Sequence, residues 1–320
     1  VRVTTALFTL PRSILAELNT YRKFNRNAAS SRAIPVSKII KDLQENPFIP
    51  IFRKNGKGMQ GYDELDENQK NIAIEWWLEH RDQAIDLAKA MSSSEGLNIH
   101  KQYVNRILEP WMFTKVLVTA TDWANMFAQR TDEYAEPSFQ TLAKDFYEKY
   151  SKSKPVSLLH GQWHTPFAQD HLDEIKNLEY VDVVDAISKK TGKPKEEIYE
   201  LYTVERFNES CIKDIAAGRI AKLSYNNLET GKIDLVNDIR LAFELSTNKP
   251  GHWSPFEHIC REAKPHEMSY RIDQLGVGVD GRIKPISGQI GYCGNLRGAF
   301  QYRKEFADEN ITKFRDIVED

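Results

Sequence analysis

Cysteine is scarce in this 320-residue sequence. There are three, Cys211, Cys260 and Cys293, and no two have the spacing of a zinc or redox motif. So few, and an odd number, excludes a disulfide framework. With no secretory-type leader, the chain is expected to be reduced and cytoplasmic. Long apolar runs are also missing. None approaches the roughly 20 residues that a membrane helix needs, so a soluble protein with no membrane partner is expected. Nor is there an excess of one charge. A formal net charge of −2 argues against a general nucleic-acid or membrane surface, which would need a basic surplus. A local basic pocket for one small anion is still allowed. There is no internal repeat, which excludes a solenoid.

What is present is ample core material, 41% apolar and 11% aromatic residues. "VRVTTALFTL" alternates and is rich in β-branched residues, which predicts a strand ended by Pro11. "SILAELNTYRKF" predicts a helix capped by Ser13, and Pro35 marks a new start by holding Ile34 extended. A Gly-rich loop (55–65) precedes a long helix through "NIAIEWWLEHRDQAIDLAKAM", where Trp76 and Trp77 read as core or interface residues. A second helix is expected from near His100 to Pro110, then a strand or a buried apolar segment over "WMFTKVLVTAT" and a helix "WANMFAQR" capped by Asp122. Phe139, Leu142, Ala143, Phe146 and Tyr150 recur at helical spacing, as a core-facing stripe does. After a "SKSKP" linker come two helices, the first stopped by Gly192 and the second opened by Pro194. A break at 226–232, a further helix, and a glycine-rich stretch of loops and short strands (275–294) complete the pattern.

Three motifs are set aside on context. Gly276, Gly278 and Gly281 spell GxGxxG, but Pro285 blocks the helix that a dinucleotide fingerprint requires. His160 and His164 have the spacing of helical metal ligands, yet Gly161 and Pro166 oppose a helix and no third ligand is evident. No metal site is therefore expected. Cys293 has no assignable base and reads as a small buried thiol.

The stretch "YRKFNRNAASSRAIP" (21–35) holds three arginines, two asparagines and two adjacent serines. Hydroxyls, backbone N–H groups and a guanidinium fork together grip a phosphate well, although a solvated loop has the same composition. "NRILEP" and "WANMFAQRTDEYAEP" each place an arginine, Arg106 and Arg130, among largely apolar neighbours. Such a cation must meet a carboxylate or a ligand anion. A salt bridge explains one of them; several point to a polyanion pocket.

At these residues the chain resembles the flavin-dependent thymidylate synthases. That family's Arg-His-Arg followed by Ser-x-Asn-x-x-Ser-x-Arg is matched in spacing by Arg22, Asn27, Ser30 and Arg32. Its Asn-x-x-x-x-Arg-x-x-x-x-Ala segment is met by Asn125, Arg130 and Ala135. "NRILEP" is similar to its Ala-Arg-x-x-Leu-Pro turn, "GHWSPFEH" to its Gly-His-x-Thr-Pro-Phe-Glu-His, and "AKLSY" to its Ala-Arg-Val-Ser-Phe. The last two blocks precede the arginine motif in the ordinary family and follow it here. That order resembles a circular permutation and the long phage-type members, which implies a phage-encoded protein in the host cytoplasm.

The resemblance implies a homotetramer binding FAD and dUMP between subunits. It implies transfer of a one-carbon unit from methylenetetrahydrofolate to uracil C5, with NADPH as reductant and no enzyme cysteine nucleophile. Carried over by position, Glu17, Ser30, Ser31, Arg32, Arg106 and Arg130 would hold dUMP, and Arg130 would be catalytic, stabilising charge on the ring. Arg22, Asn125, Ser224 and Ser254 would contact FAD. The chain departs from the family at Thr20-Tyr21, which replace Arg-His. Ala28 stands for Glu, Glu17 for Gln and Lys222 for Arg, and Thr119 and Thr121 sit where Asn and Arg are usual. Arg297 and Arg303 would either complete a pocket or be solvated surface residues.

The expected fold is α+β, a mixed or antiparallel sheet flanked by helices, with helical insertions. The chain is expected to form one intertwined domain: a nucleotide-binding half (1–150), a helical linker (151–215) and a flavin-site half (216–320). C5 methylation of dUMP is the leading function. C5 hydroxymethylation of dUMP or dCMP, and a flavin-less nucleotide-binding homologue, are the alternatives.

Overall fold

The computed structural model describes residues 1–58, 61, 63–225, 233–267, 275–277, 283–285, 292–306, 309, 313–314 and 317–318. The alternating stretch Thr4–Pro11 forms β1; one turn of helix, α1 (Leu15–Leu18), and β2 (Asn25–Ala28) follow. α2 (Val36–Glu45), α3 (Glu67–Ser92) and α4 (Lys101–Leu108) lead to β3 (Phe113–Ala120). β3 lies between β1 and β2, antiparallel to both, with Leu117 opposite Leu7 on one side and Asn27 on the other. A central strand covered on both faces needs apolar residues at successive positions, which is why "VLV" does not alternate.

One face of this sheet carries Phe8, Leu10, Val116 and Val118. It packs on Trp123, Phe139 and Phe146, supplied by the entry to α5 (Ala124–Arg130) and by α6 (Pro137–Lys152). Ring centroids of Trp123 and Phe146 are 4.7 Å apart. The other face presents Leu7 and Leu117 to a larger cluster. After β4 (Trp163–His164), that cluster is built by α7 (Leu172–Lys176), α8 (Tyr180–Thr191), α9 (Lys195–Leu201), α10 (Phe207–Lys222) and α11 (Leu235–Thr247), with Phe256 and Ile259. The helices of 172–201 thus share one core with the last third of the chain.

β5 (Cys260–Glu262) leads to two antiparallel hairpins, β6 (Leu275–Val277) with β7 (Ile283–Pro285) and β8 (Tyr292–Cys293) with β9 (Leu296–Arg297). β10 (Ala299–Gln301) and β4 then flank β5 in a second three-stranded sheet, and β11 (Lys313–Phe314) pairs with β12 (Ile317–Val318). A third apolar cluster joins α2, α3 and α4 through Trp77 and Trp111, whose indole N–H groups donate to Phe48 O and Trp77 O at 2.8 and 2.9 Å. Trp76, its neighbour on α3, is 64% exposed. The architecture is therefore α+β, with small antiparallel sheets flanked by helices. No helix among the described residues is long and apolar enough to cross a membrane.

Two capping expectations fail. Ser13 lies within a 3-10 turn (Arg12–Ile14) and caps nothing; α1 stops after four residues. The chain must then turn so that Tyr21 and Phe24 can stack at 5.2 Å and enter the core. Asp122 does not cap α5, whose N-cap is Trp123; its carboxylate pairs with Arg297 at 2.9 Å. Gly192 ends α8 at φ +73, a left-handed conformation that favours glycine, and Pro194 opens α9. The break at 226–232 lies outside the described residues, as do Gly278 and Gly281 of the GxGxxG stretch, whose Gly276 sits in β6.

Candidate functional site

The segment 21–35 is not one loop. Asn25–Ala28 pairs with β3, and only beyond it does the chain turn. Ala29 N–H donates to Lys115 O at 2.8 Å, and Ser30 N–H donates to Ser224 O at 3.0 Å. This brings "AKLSY" against the serine pair. α4 fastens the turn from behind. Asn105, fully buried, donates through Nδ2 to Ser31 O (2.6 Å) and Ile34 O (2.9 Å), and Lys101 Nζ donates to Ala33 O (2.8 Å).

In front of this turn, one oxygen collects three donors. Glu109 Oε1 accepts from Ser31 Oγ at 2.6 Å and from Arg106 Nη1 at 2.9 Å, and it pairs with Arg12 Nη2 at 3.2 Å. Arg106 departs from expectation here. Val104 and Leu108 carry the buried face of α4, and the Arg106 side chain is 53% exposed. Arg32 is exposed on the turn itself. Arg12 and Ser31 also line an open cleft of about 210 Å³ with Thr9, Thr114, Lys115 and Asp42. Arg12 and Glu109 were not singled out in the sequence. The available signal was the i,i+3 spacing of Arg106 and Glu109.

Arg130 lies at the other end of β2. Its Nη1 pairs with Glu17 Oε2 at 2.6 Å, and its Nε donates to Tyr21 Oη at 2.9 Å. Its guanidinium sits 4.8 Å from the Phe139 ring centroid. Thus Arg130 meets the demand for a partner through a salt bridge within the chain. Tyr21 is part of that clasp. The four residues of β2, about 13 Å at the usual rise, separate the Tyr21 backbone from the serine turn.

Of the residues expected to meet FAD, Arg22, Asn125 and Ser254 are exposed and Ser224 is half-buried. No hydrogen bond, ion pair or ring contact joins any two of these four side chains among the described residues, and none lines the cleft beside Arg12.

A buried polar seam ties the first sheet to the last third of the chain. Thr5 and Thr119 hydroxyls meet at 2.7 Å; Thr5 Oγ1 reaches His164 Nε2, and Thr119 Oγ1 reaches His258 Nδ1, both at 2.8 Å. Burial pushes His258 down to about 3 and His164 to about 4, so both rings are neutral near pH 7. Alongside, Asn25 Nδ2 and Gln301 Nε2 donate to Glu257 O at 3.0 and 3.2 Å. The Glu257 carboxylate pairs with Arg303, and burial raises its pKa. Arg303 also pairs with Glu309 at 2.6 Å. The arginines considered for a second pocket, Arg297 and Arg303, are thus engaged by carboxylates within the chain.

All three cysteines are free and buried, and burial lifts every thiol, Cys260 to about 12, which makes each a poor nucleophile. His160 and His164 part company: His160 Nδ1 meets Glu262 at 2.9 Å, while His164 joins the seam. Among the described residues no group of three or more His, Cys, Asp or Glu is placed to hold a metal ion. No protein-family model matches the sequence, and no curated protein matches it.

Proposed function

We propose that the protein binds a deoxypyrimidine monophosphate and alkylates it at C5 in a flavin-dependent reaction, most simply dUMP to dTMP with methylenetetrahydrofolate and NADPH. One observation carries the nucleotide part of this reading. Ser31 and Arg106, far apart in sequence, converge on a single anionic oxygen, and Ser224 closes on Ser30 beside them. Hydroxyl and guanidinium donors meeting at one point are what a phosphate oxygen requires. The redox part rests on the sequence resemblance alone. Arg130 is the candidate for stabilising negative charge on the pyrimidine. Because it stands at the far end of β2 from Ser31, the reading calls for a site completed by a second copy of the chain, in keeping with the proposed homotetramer.

A second reading, a nucleotide-binding protein without flavin, is favoured by two observations. Arg22, Asn125 and Ser254 are exposed and untethered to one another, and the threonines at two expected cofactor positions are committed elsewhere. Thr119 bonds Thr5 and His258, and Thr121 accepts from Arg297 N–H at 3.0 Å. The deciding measurement is a visible absorption spectrum after incubation with FAD and desalting, followed by an assay for dTMP. Retained flavin absorbance that dUMP perturbs supports the enzyme. A colourless protein that still binds dUMP leaves only the second reading. With flavin retained, Arg130→Lys keeps the charge but loses the planar fork, and should lower dTMP formation at least about tenfold. Unchanged turnover would remove Arg130 from the chemistry.

A further inference from the structure

We propose that Glu109 is an internal stand-in for a phosphate monoester, that the ligand displaces it, and that Arg12 is a further cation of the phosphate site. This deepens the nucleotide reading above and rests on it. The argument begins with the seat. Glu109 Oε1 is held by Ser31 Oγ, Arg106 Nη1 and Arg12 Nη2 at 2.6, 2.9 and 3.2 Å, drawn from three separate segments of the chain. Three donors on one oxygen form an anion site by geometry, whichever anion fills it.

The occupant belongs to this chain in particular. Glu109 is a carboxylate of the same chain, carried on the turn that follows α4. Charge then decides between the two anions. At the seat itself two guanidiniums face one carboxylate, and the adjoining cleft adds Lys115 against Asp42 and Glu45. A phosphate monoester carries about −1.5 to −2, balancing Arg12 and Arg106 only if Glu109 withdraws. Withdrawal is open to it. Glu109 sits on a 3-10 turn (Glu109–Trp111), its side chain is 22% exposed, and Arg12 and Ser31 face a cleft open to solvent. Two of the three donors keep other ties without it, because Asn105 holds the Ser31 turn and Arg12 also donates to Ala29 O at 3.4 Å.

The test is calorimetric titration of inorganic phosphate and of dUMP into the wild-type protein, Glu109→Gln and Arg12→Gln, at one pH and one low salt concentration. Thermal melts confirm that each variant is folded. Glu109→Gln retains an acceptor for Ser31 but no charge, and should bind both probes about tenfold tighter than wild type. Arg12→Gln should bind both about tenfold more weakly. Glu109→Leu, which removes the acceptor as well as the charge, should follow Glu109→Gln. Equal or weaker binding by both Glu109 variants would overturn the proposal, since the carboxylate would then be positioning the donors rather than competing for them. An unchanged Arg12→Gln would remove Arg12 from the site. Absence of binding by every protein would leave the seat a structural ion cluster, and the proposal would fall. Failure of the functional reading looks different: inorganic phosphate responds to Glu109→Gln as expected, but dUMP binds no tighter than inorganic phosphate.

Discussion

A buried amide fixes the shape of the candidate phosphate turn. Asn105 donates to two carbonyls that no water reaches, so Asn105→Ala strands both acceptors at a cost of about 2–4 kcal/mol. Urea unfolding should show that loss; a change below about 0.5 kcal/mol would mean that the turn holds its own shape. The clasp on Arg130 is weaker because Glu17 is 40% exposed, and Glu17→Ala should cost only about 1 kcal/mol. The neutral histidines set a pH dependence with a definite sign. Unfolded histidine titrates near 6.5, whereas buried His164 and His258 titrate near 4 and 3. Below pH 6.5 the unfolded chain therefore binds more protons, and stability falls as pH is lowered. Asp214, lifted by burial to about 6, acts in the opposite sense and offsets part of this below pH 6. The clean comparison is His164→Gln, whose stability between pH 6.5 and 5 should fall less steeply than wild type, by up to about 1.4 kcal/mol per pH unit. Parallel curves would show that His164 titrates normally in the folded protein.

At the scale of elements, α10 and α11 touch where Gly218 passes the Asp238 backbone, and a Cβ there would collide with the Asp238 carbonyl oxygen. Gly218→Ala must push the helices apart, with an expected loss of about 1–3 kcal/mol in thermal or urea unfolding. α10 was not set apart from the helix opened by Pro194, but α11, after the break at 226–232, was legible in the sequence. Their close approach was not, since a glycine within a helix carries no mark of its neighbour. The same division runs through the site. Proline and branched residues gave away β1 and β3, and the hydroxyl and guanidinium content of 21–35 identified the serine turn. The short strand Asn25–Ala28 was hidden, because polar side chains that face a polar seam do not alternate with apolar ones. Ser13 and Asp122 misled for a related reason: both are good cap residues locally, and tertiary contacts overrode them. Arg12 and Glu109 escaped because their meeting depends on β1 and β3 being neighbours, a long-range fact that no spacing encodes.

The whole molecule is joined through β3, whose two faces enter two different cores. The connection 153–162 is irregular and exposed, so a protease should cut there first. The fragments should nonetheless stay together. Leu7 and Leu117 are packed in the second cluster, and Thr119 and Asn25 are bonded to His258 and Glu257 across the cut. Limited trypsin digestion followed by gel filtration should give one peak containing both pieces; two separate peaks would show that the halves are independent domains. The Thr119–His258 bond spans 139 residues. At the usual pace of protein synthesis, about 5–20 residues per second, the second residue leaves the ribosome roughly 7–28 s after the first. Once α6 has emerged the nascent sheet has one face covered and one bare, and Thr119 lacks its histidine partner until His258 follows. The need of this chain for a chaperone should therefore rise as translation slows across α7–α11.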